Sequence, residues 1–366
     1  MPVHCLLSLC DWLPPDFGAV GQYALSAVER LAAEGNRVTL VGLSSTQASD
    51  SSRDVGSGSL RIVRLRVPAC DRSNLRRRAL WTLRTNRALV RAAGGFAGDV
   101  DEVLFTGSPP FFLHWVVAAN RRWKKRLVYR ITDLHPECLI AELGRTPLWL
   151  TPFVRRTNRL RRLVDRFEVL GEDQRRRLLE MGIPAERIEL RRDESPVEIG
   201  PSVEPLPLPA ELAGKKVLLY SGNFGVAHDD VTFVDGYERH HRSGSGRVVL
   251  WLNATGAKAD RVEAELRRRG LPVYRTLPVP LGELARLLVT PHAHLITLRD
   301  AFVGYVLPSK VYGCIASGKP VLFIGSEASD VDLLCRERIA GRYTRVAVGD
   351  GAGVAAALER LASEVG

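Results

Sequence analysis

Short apolar runs alternate with amphipathic segments along the whole chain. In the first half, strands are predicted at 3–9, 37–42, 60–67, 103–106, 127–131 and 167–170. Helices are predicted between them at 21–33 and 111–119, and the polar stretch 44–59 is predicted to be a loop. After residue 213 the alternation restarts, with strands at 216–220, 248–252, 272–274, 293–298 and 321–324. Strands separated by helices indicate parallel sheets covered on both faces. The pattern predicts an α/β fold with two Rossmann-like domains facing each other across a ligand cleft.

A proline-rich stretch divides the two halves. Residues 195–213 contain five prolines and little periodicity, which is typical of an interdomain linker. The predicted domains are therefore residues 1–195 and 214–366, joined by a linker at 196–213. The length of 366 residues suits two domains of ordinary size.

The segment from Gly304 to Gly325 carries the strongest chemical information. Gly304 and Pro308 precede a short helix, a Ser-Gly-Lys-Pro turn ends it, and the apolar run 321–324 predicts a buried parallel strand. A helix N-terminus at the end of a parallel sheet attracts anions. Ser309 and Lys310 add a hydroxyl and a cation there, so the segment predicts a diphosphate site that includes Gly304, Pro308, Ser309 and Lys310.

This segment resembles the nucleotide-sugar half of GT-B glycosyltransferases, in particular family 4 and its polysaccharide and lipid-linked glycan branch. Pro-Ser-Lys-x-Tyr, a helix and a small-Gly-Lys-Pro turn recur there. An ordinary β-α-β unit of another doubly wound enzyme is the alternative. The resemblance implies a retaining, metal-independent hexosyltransferase that uses a UDP- or GDP-linked sugar and no cofactor.

Two further loops of the second half are implied to bind the donor. Gly222, Asn223 and Gly225 follow its first predicted strand, where glycines allow a phosphate to approach the backbone. Related sequences often place Lys or Arg just after this loop, whereas this chain has Val-Ala-His. The resemblance also places Leu277 and Pro278 beside the nucleotide base. A plain turn and a strand end are the alternatives.

The acidic pair that is common in family 4 is absent from this chain. Its positions correspond to Tyr305 and Gly313. Asp300 is the nearby substitute that could contact the sugar, although it could equally be a solvated loop charge.

In the first half, candidate site residues follow two predicted strands. Gly18 and Gly21 open a helix at the loop that, in GT-B enzymes, approaches the transferred sugar. Asp133, His135 and Glu137 lie at the C-terminal end of the strand at 127–131, where α/β sheets bind ligands. We expect Asp133 to be sugar-contacting or catalytic, with His135 and Glu137 as supporting candidates. A helix-capping role for Asp133 is the alternative.

No metal site and no membrane-spanning segment are predicted. The six cysteines have no CxxC spacing, which favours reduced thiols in a cytoplasmic protein. Two Asp-Val-Asp triplets, at 99–101 and 330–332, match a metal-binding pattern that is too short to be specific. No run of eighteen apolar residues occurs.

Positive charge is concentrated in the first half. The net charge is +11, and residues 1–200 hold 32 basic against 23 acidic residues. In helical register, one predicted basic face contains Arg155, Arg159, Arg162 and Arg166, and a second contains Arg76, Arg84, Arg87 and Arg91. A solvated helix face is the alternative. The clusters predict an anionic membrane surface as partner, on the cytoplasmic face, and too few aromatic residues accompany them for nucleic acid.

Together these features predict a glycosyltransferase that acts on a glycan or lipid-linked acceptor. Two alternatives stay open at this point. A nucleotide-sugar epimerase or hydrolase would share the fold, and the missing acidic pair would also suit a catalytically silent nucleotide-sugar-binding protein.

Overall fold

The computed structural model describes residues 4–16, 18–68 and 75–363. The chain folds as two compact units, residues 1–192 and 193–366. The predicted boundary at residue 195 lies close to this division, and the predicted linker is part of the second unit. Its leucines explain why: Leu212 is buried and Leu206 packs beside it against the second sheet. The α/β class with two mostly parallel sheets is confirmed.

Within the described residues, the first unit is built on one eight-stranded sheet with the order β3-β4-β2-β1-β5-β6-β7-β8. All neighbouring strands are parallel except the β3–β4 pair. The strands are β1 (Cys5–Trp12), β2 (Arg37–Ser44), β3 (Ser49–Val55), β4 (Gly58–Arg66), β5 (Glu102–Thr106), β6 (Arg126–Arg130), β7 (Arg166–Val169) and β8 (Ile188–Leu190). The helices are α1 (Ala19–Ala33), α2 (Leu75–Gly94), α3 (Phe112–Trp123), α4 (Glu137–Leu143), α5 (Thr151–Arg161) and α6 (Glu172–Glu180).

The second unit contains, in the part of the chain that the structure describes, a six-stranded parallel sheet with the order β11-β10-β9-β12-β13-β14. Its strands are β9 (Lys216–Asn223), β10 (Val248–Thr255), β11 (Val273–Thr276), β12 (Ala293–Thr297), β13 (Val321–Ile324) and β14 (Tyr343–Val346). Its helices are α7 (Val231–Ser243), α8 (Ala257–Arg268), α9 (Leu281–Val289), α10 (Lys310–Ala316), α11 (Asp330–Ile339) and α12 (Gly351–Ser363).

The strand orders decide where ligands can bind. In each sheet the chain starts near the middle, runs to one edge, and then continues on the other side of the first strand. The reversal falls between β1 and β5 in the first unit and between β9 and β12 in the second. Loops that leave the C-terminal ends of such strands diverge and leave a crevice. Polar residues at these four strand ends are therefore the first candidates for a site.

The predicted polar loop at 44–59 is partly wrong. Residues 49–55 form β3, which pairs antiparallel with β4 through a turn at Gly56. The strand was missed because it lies at the sheet edge with exposed serine and charged side chains, so no apolar alternation marks it. The second Asp-Val-Asp triplet is buried at the start of α11, where Asp332 accepts a hydrogen bond from Tyr343 Oη at 2.8 Å.

Cys5, Cys10, Cys138, Cys314 and Cys335 are free thiols, and Cys70 lies outside the described residues. Across the described ranges, no helix combines the length and apolar character that a transmembrane span requires.

Candidate functional site

The reversal point of the second sheet has an open glycine loop. Gly222 lies near the end of β9 with a φ of 101°, and no heavy atom would lie within 4 Å of a Cβ placed there. The positive φ favours glycine, and the open space leaves the backbone accessible to a ligand. At Gly225 a Cβ would lie 3.2 Å from Asn223 Nδ2, so that position is tighter.

Lys310 is half-buried beside this loop, and its ammonium nitrogen is shielded from solvent. Its Nζ lies 3.3 Å from the centroid of the Tyr220 ring, and it has no hydrogen-bond partner among the described residues. Burial lowers the pKa of Lys310 to about 7, while the nearby Cys314 thiol opposes that shift. The ring face offers weak electrostatic attraction in place of an anion. A buried ammonium group without a counter-ion is costly, and a bound anion would relieve that cost.

Aromatic rings fix the position of Lys310. Tyr220 stacks on Phe224 with ring centroids 4.2 Å apart, and its hydroxyl donates to the Asn223 carbonyl at 3.1 Å. His228 meets both rings edge-on. Its Nδ1 lies 2.6 Å from the Thr297 carbonyl, which can only accept, so Nδ1 carries the proton. Burial, followed by the Lys310 charge, lowers the pKa of His228 well below its usual value, so the histidine is neutral and leaves Lys310 as the local charge.

The other predicted residues of the 304–325 segment lie just before Lys310 in the chain. Ser309 is the N-cap of α10 and makes no side-chain capping bond to that helix, and Pro308 is buried before it. Gly304 is buried with a φ of 79°, a value that favours glycine. Because α10 has only seven residues, its dipole is small, and the charge of Lys310 is the main electrostatic feature here.

Gly313, one of the two positions of the acidic pair of family 4, is closely packed. It is buried in α10, and a Cβ there would lie 3.0 Å from Leu288 Cδ1 of α9. A larger residue at this position would require the Leu288 side chain to shift by a few tenths of an ångström. Tyr305, the other position, is partly exposed.

Asp300 follows β12 on a short 3-10 helix and is exposed. Partial burial and the negative charge of Asp229 raise its pKa, and Arg345 opposes them. Arg299 donates to the Val226 carbonyl at 3.3 Å and so joins this loop to the glycine loop. The two loops that flank the reversal point are therefore physically connected.

The loop after β11 carries Leu277 and Pro278. The Leu277 side chain is 75% exposed, and its carbonyl accepts from Asn253 Nδ2 at 2.6 Å. The same amide donates to Thr276 Oγ1 at 2.8 Å. Asn253 thus orients a backbone that was predicted to lie beside the base, and sequence reasoning missed it. The sequence did contain a signal for Asn253, because it is the polar residue that ends the apolar run of β10.

In the first unit, polar side chains meet at the reversal point between β1 and β5. Ser108 Oγ donates to Asp11 Oδ2 at 2.6 Å. Burial raises the pKa of Asp133 to about 6, and the negative charge of Asp11 contributes. Gly107 allows the Asp133 backbone to pack closely against it, because a Cβ at residue 107 would lie 2.6 Å from the Asp133 carbonyl oxygen. Sequence reasoning selected Asp133 and missed Asp11 and Ser108.

The helix-capping alternative for Asp133 does not fit α4. The N-cap residue of α4 is Pro136, and no side chain caps that helix end. Glu137 is less suited to chemistry than predicted, because both its carboxylate oxygens accept from the buried Arg161 at 2.6 Å. The His135 carbonyl accepts from the same arginine at 2.9 Å, and its ring lies 5.7 Å from that of Phe111. These contacts favour structural roles for Glu137 and for the backbone of His135.

The glycines of the first loop have different surroundings. Gly18 is the N-cap of α1, with an extended φ of 179°. At Gly21 a Cβ would lie 1.7 Å from the Trp12 carbonyl oxygen, so close packing of α1 on β1 requires glycine there. Donor contact by either residue stays a prediction.

One of the two predicted basic faces is wrong in part. Arg155 and Arg159 are exposed on α5, and Arg162 is exposed just after it. Arg166 is not on that helix, because α5 ends at Arg161 and residue 166 begins β7. It forms ion pairs with glutamates at 102, 168 and 189, so it is not a free surface charge.

On α2, Arg84, Arg87 and Arg91 are exposed, whereas the side chain of Arg76 lies outside the described part of the chain. The second basic face is therefore present at three of its four predicted positions. No group of three or more His, Cys, Asp or Glu side chains among the described residues could hold a metal ion.

Comparison with known proteins adds the following findings. Residues 18–193 match the family model described as "Glycosyl transferase 4-like domain". No curated protein sequence matches the chain significantly.

Solved structures that resemble the chain include a trehalose-6-phosphate protein from E. coli bound with UDP-2-fluoro glucose, at 14% identity, 99% and 92% coverage of the two chains and a TM-score of 0.66. They also include WaaG, a glycosyltransferase involved in lipopolysaccharide biosynthesis, at 14% identity, 98% and 90% coverage and a TM-score of 0.63. Anabaena Alr3699/HepE in complex with UDP and glucose matches at 12% identity, 99% and 90% coverage and a TM-score of 0.66. At these identities the likeness concerns the fold.

Proposed function

We propose that the chain transfers a sugar from a nucleoside-diphosphate sugar, because residues 18–193 match the glycosyl transferase 4-like domain model and the chain has a GT-B fold. The donor is UDP- or GDP-linked, and the acceptor is a glycan or a lipid-linked glycan. The observation that carries the proposal is the buried ammonium nitrogen of Lys310 at the reversal point of the second sheet, which has no hydrogen-bond partner among the described residues. A diphosphate supplies the anion that this cation lacks.

In this proposal the second unit stabilises the leaving diphosphate. Negative charge develops there as the glycosidic bond breaks, and preorganised donors in a dry site stabilise such charge strongly. Lys310 supplies the cation, and the backbone N–H groups of Gly222 and Gly225 supply hydrogen-bond donors, with Ser309 beside them. Neither a metal ion nor a cofactor is needed for this role. Asn253 holds the Leu277 backbone, against which the base packs.

The first unit contributes Asp133, which contacts a sugar hydroxyl. Its raised pKa allows it to accept or return a proton near neutral pH. Asp11, which accepts a hydrogen bond from Ser108, contributes negative charge that helps to raise this pKa. By resemblance the reaction retains the anomeric configuration without a side-chain nucleophile.

A catalytically silent nucleotide-sugar-binding protein is the second candidate. It is favoured by Gly313, because this position lacks the acidic residue that is common in the family. An epimerase or hydrolase of the same fold is the remaining alternative.

Mass spectrometry of the purified protein with a panel of nucleotide sugars separates these functions. Transfer should yield a nucleoside diphosphate only when a glycan or lipid-linked acceptor is present. Turnover without an acceptor would instead identify a hydrolase or an epimerase. Donor binding without turnover across all acceptors would identify the silent protein.

Donor affinity should depend on pH through Lys310. Only the ammonium form attracts the diphosphate, so binding raises the pKa of Lys310 above its ligand-free value of about 7. Above that pH, binding must take up a proton, and affinity should fall by up to about tenfold per pH unit. Calorimetry with a nucleotide sugar in two buffers of different ionisation enthalpy should detect this uptake at pH 8. A nucleotide sugar is the suitable probe because its esterified diphosphate does not titrate near pH 7. Absence of proton uptake would contradict the assignment of Lys310.

A further inference from the structure

Leu148 and Trp149 form an exposed apolar pair on the first unit. Leu148 is 91% exposed and Trp149 is 71% exposed. They occupy a short 3-10 helix, Leu148–Leu150, which leads directly into α5. Adjacent large apolar side chains with this exposure are unusual in a folded protein and indicate a contact surface.

This pair is held on an ordered turn. Leu150 is only 4% exposed, and its N–H donates to the Pro147 carbonyl at 2.9 Å. Pro152 lies in the first turn of α5 and fixes the backbone there. The buried leucine and the two prolines therefore present Leu148 and Trp149 outward.

Arginines lie on the exposed face of the adjoining helix. Thr157 is buried, and its hydroxyl lies 3.0 Å from His114 Nε2, so it marks the inner side of α5. Arg155 and Arg159 are two residues away on either side and therefore lie about 160° around the helix from it. With Arg162 they are exposed and have no ion-pair partner among the described residues.

The local charge has a single sign. Residues 143–163 contain six arginines and no Asp or Glu. Of these arginines, Arg161 is neutralised by Glu137, which leaves the others available to a partner. Such a partner must be anionic, and it must also accept a tryptophan and a leucine that protrude.

We propose a docking surface for an anionic phospholipid bilayer, formed by Leu148, Trp149, Arg155, Arg159 and Arg162. This inference rests on the proposed function in one respect, namely that the acceptor is lipid-linked. Tryptophan is favoured at the headgroup level of membranes, and basic residues near it bind anionic lipids. A protruding apolar pair fits a fluid interface, which needs no complementary pocket. The docking surface gives the expected peripheral membrane association a specific location and replaces Arg166, which is ion-paired.

Co-sedimentation with vesicles tests the docking surface. The full chain is mixed with vesicles of phosphatidylglycerol and phosphatidylcholine, or of phosphatidylcholine alone. We expect binding only to the anionic vesicles, weakened at half-molar salt, where the screening length is only several ångströms. Arg155→Gln with Arg159→Gln should weaken binding about 30-fold at low salt. Leu148→Ser with Trp149→Ser should weaken it at least tenfold.

Matched controls separate the docking surface from general effects. Arg267→Gln with Arg268→Gln removes the same charge from α8, where both arginines are ion-paired with glutamates. Leu179→Ser removes a leucine that is 43% exposed on α6. Both controls should bind vesicles within twofold of the native chain.

Fluorescence reports which tryptophan enters the bilayer. Brominated lipids should quench part of the emission of the six tryptophans, and Trp149→Phe should remove most of that quenching.

Equal vesicle binding by the native chain and both docking-surface variants would overturn the proposal, as would equal binding to neutral vesicles. Self-association without lipid that these substitutions abolish would also overturn it, since a second copy would then be the partner. Calorimetry of nucleotide-sugar binding, expected to be unchanged in every variant, shows separately whether the proposed function holds.

Discussion

Lys310→Met is expected to lower sugar transfer by about 10²- to 10³-fold, the usual loss when one preorganised group that stabilises developing charge is removed. Methionine keeps the length and apolar stem of the lysine and removes only the cation. The Lys310 ammonium lies over the Tyr220 ring and has no counter-ion in the part of the chain that the structure describes, so a bound diphosphate would gain its full attraction. Steady-state kinetics with a saturating acceptor measures the effect, and turnover within threefold of the native value would exclude Lys310 from the site.

The same variant should not lose stability. The folded-state pKa of Lys310 is about 7, below its ordinary value of 10.5, so the unfolded chain binds more protons between these values. The free energy of unfolding of the native chain should therefore rise with pH across that window, and Lys310→Met should remove this contribution. Urea unfolding at pH 7 and pH 9 would show whether reduced activity reflects misfolding.

Lys258→Met provides a matched control. Lys258 is also a largely buried lysine of the second unit, but its Nζ lies 2.9 Å from Asp230 Oδ1 and its charge is already compensated. The substitution should lower stability, because Asp230 then depends on Arg261 alone. Its effect on turnover should be less than tenfold. A larger effect would mean that the diphosphate depends on general positive charge and not on Lys310 itself.

Local sequence patterns predicted the repeating units of the fold. The strand at 321–324 was predicted with its observed bounds, because a continuous apolar run after a Gly-Lys-Pro turn admits few other structures. The helix before it begins at Lys310, within two residues of Pro308. The GT-B fold and its resemblance to family 4 are confirmed.

Contacts between distant residues could not be predicted. Asp11 and Ser108 are 97 positions apart and meet only because β1 and β5 are neighbours in the sheet. Tyr220 and Lys310 meet in the same way, across the β9–β12 reversal. Sequence reasoning selected Lys310 of the second pair and neither member of the first, because these contacts depend on the strand order and not on local sequence.

The error at Arg166 in the first basic face could have been recognised from the sequence. A helical register from Arg155 to Arg166 leaves no residue for a turn before the apolar run 167–170, which was predicted to be a strand. The chain must leave the helix before that strand, and α5 does end at Arg161. Conversely, Leu148 and Trp149 look like core residues in the sequence, and only their measured exposure marks them as a surface.

Asp133→Asn is expected to lower sugar transfer at least about 100-fold while it leaves nucleotide-sugar affinity within twofold, because a positioned acid or base contributes 10²- to 10⁴-fold. Asparagine keeps the size of the side chain and removes only its ability to exchange a proton. The nucleotide is proposed to bind to residues of the second unit, so its affinity should not depend on Asp133. Equal losses of affinity and rate would contradict this division, and a normal rate would exclude Asp133 from the chemistry.

Asp11→Asn distinguishes proton exchange by Asp133 from a purely structural role. The negative charge of Asp11 helps to raise the pKa of Asp133 to about 6, so its removal should lower that pKa. If the carboxylate form of Asp133 is the active one, the rate of the native protein should fall as pH decreases through about 6. In Asp11→Asn this fall should move to lower pH, because Asp133 then stays ionised in more acidic solution. A structural role would leave the position of that acid limb unchanged, and only the overall rate or the stability would differ.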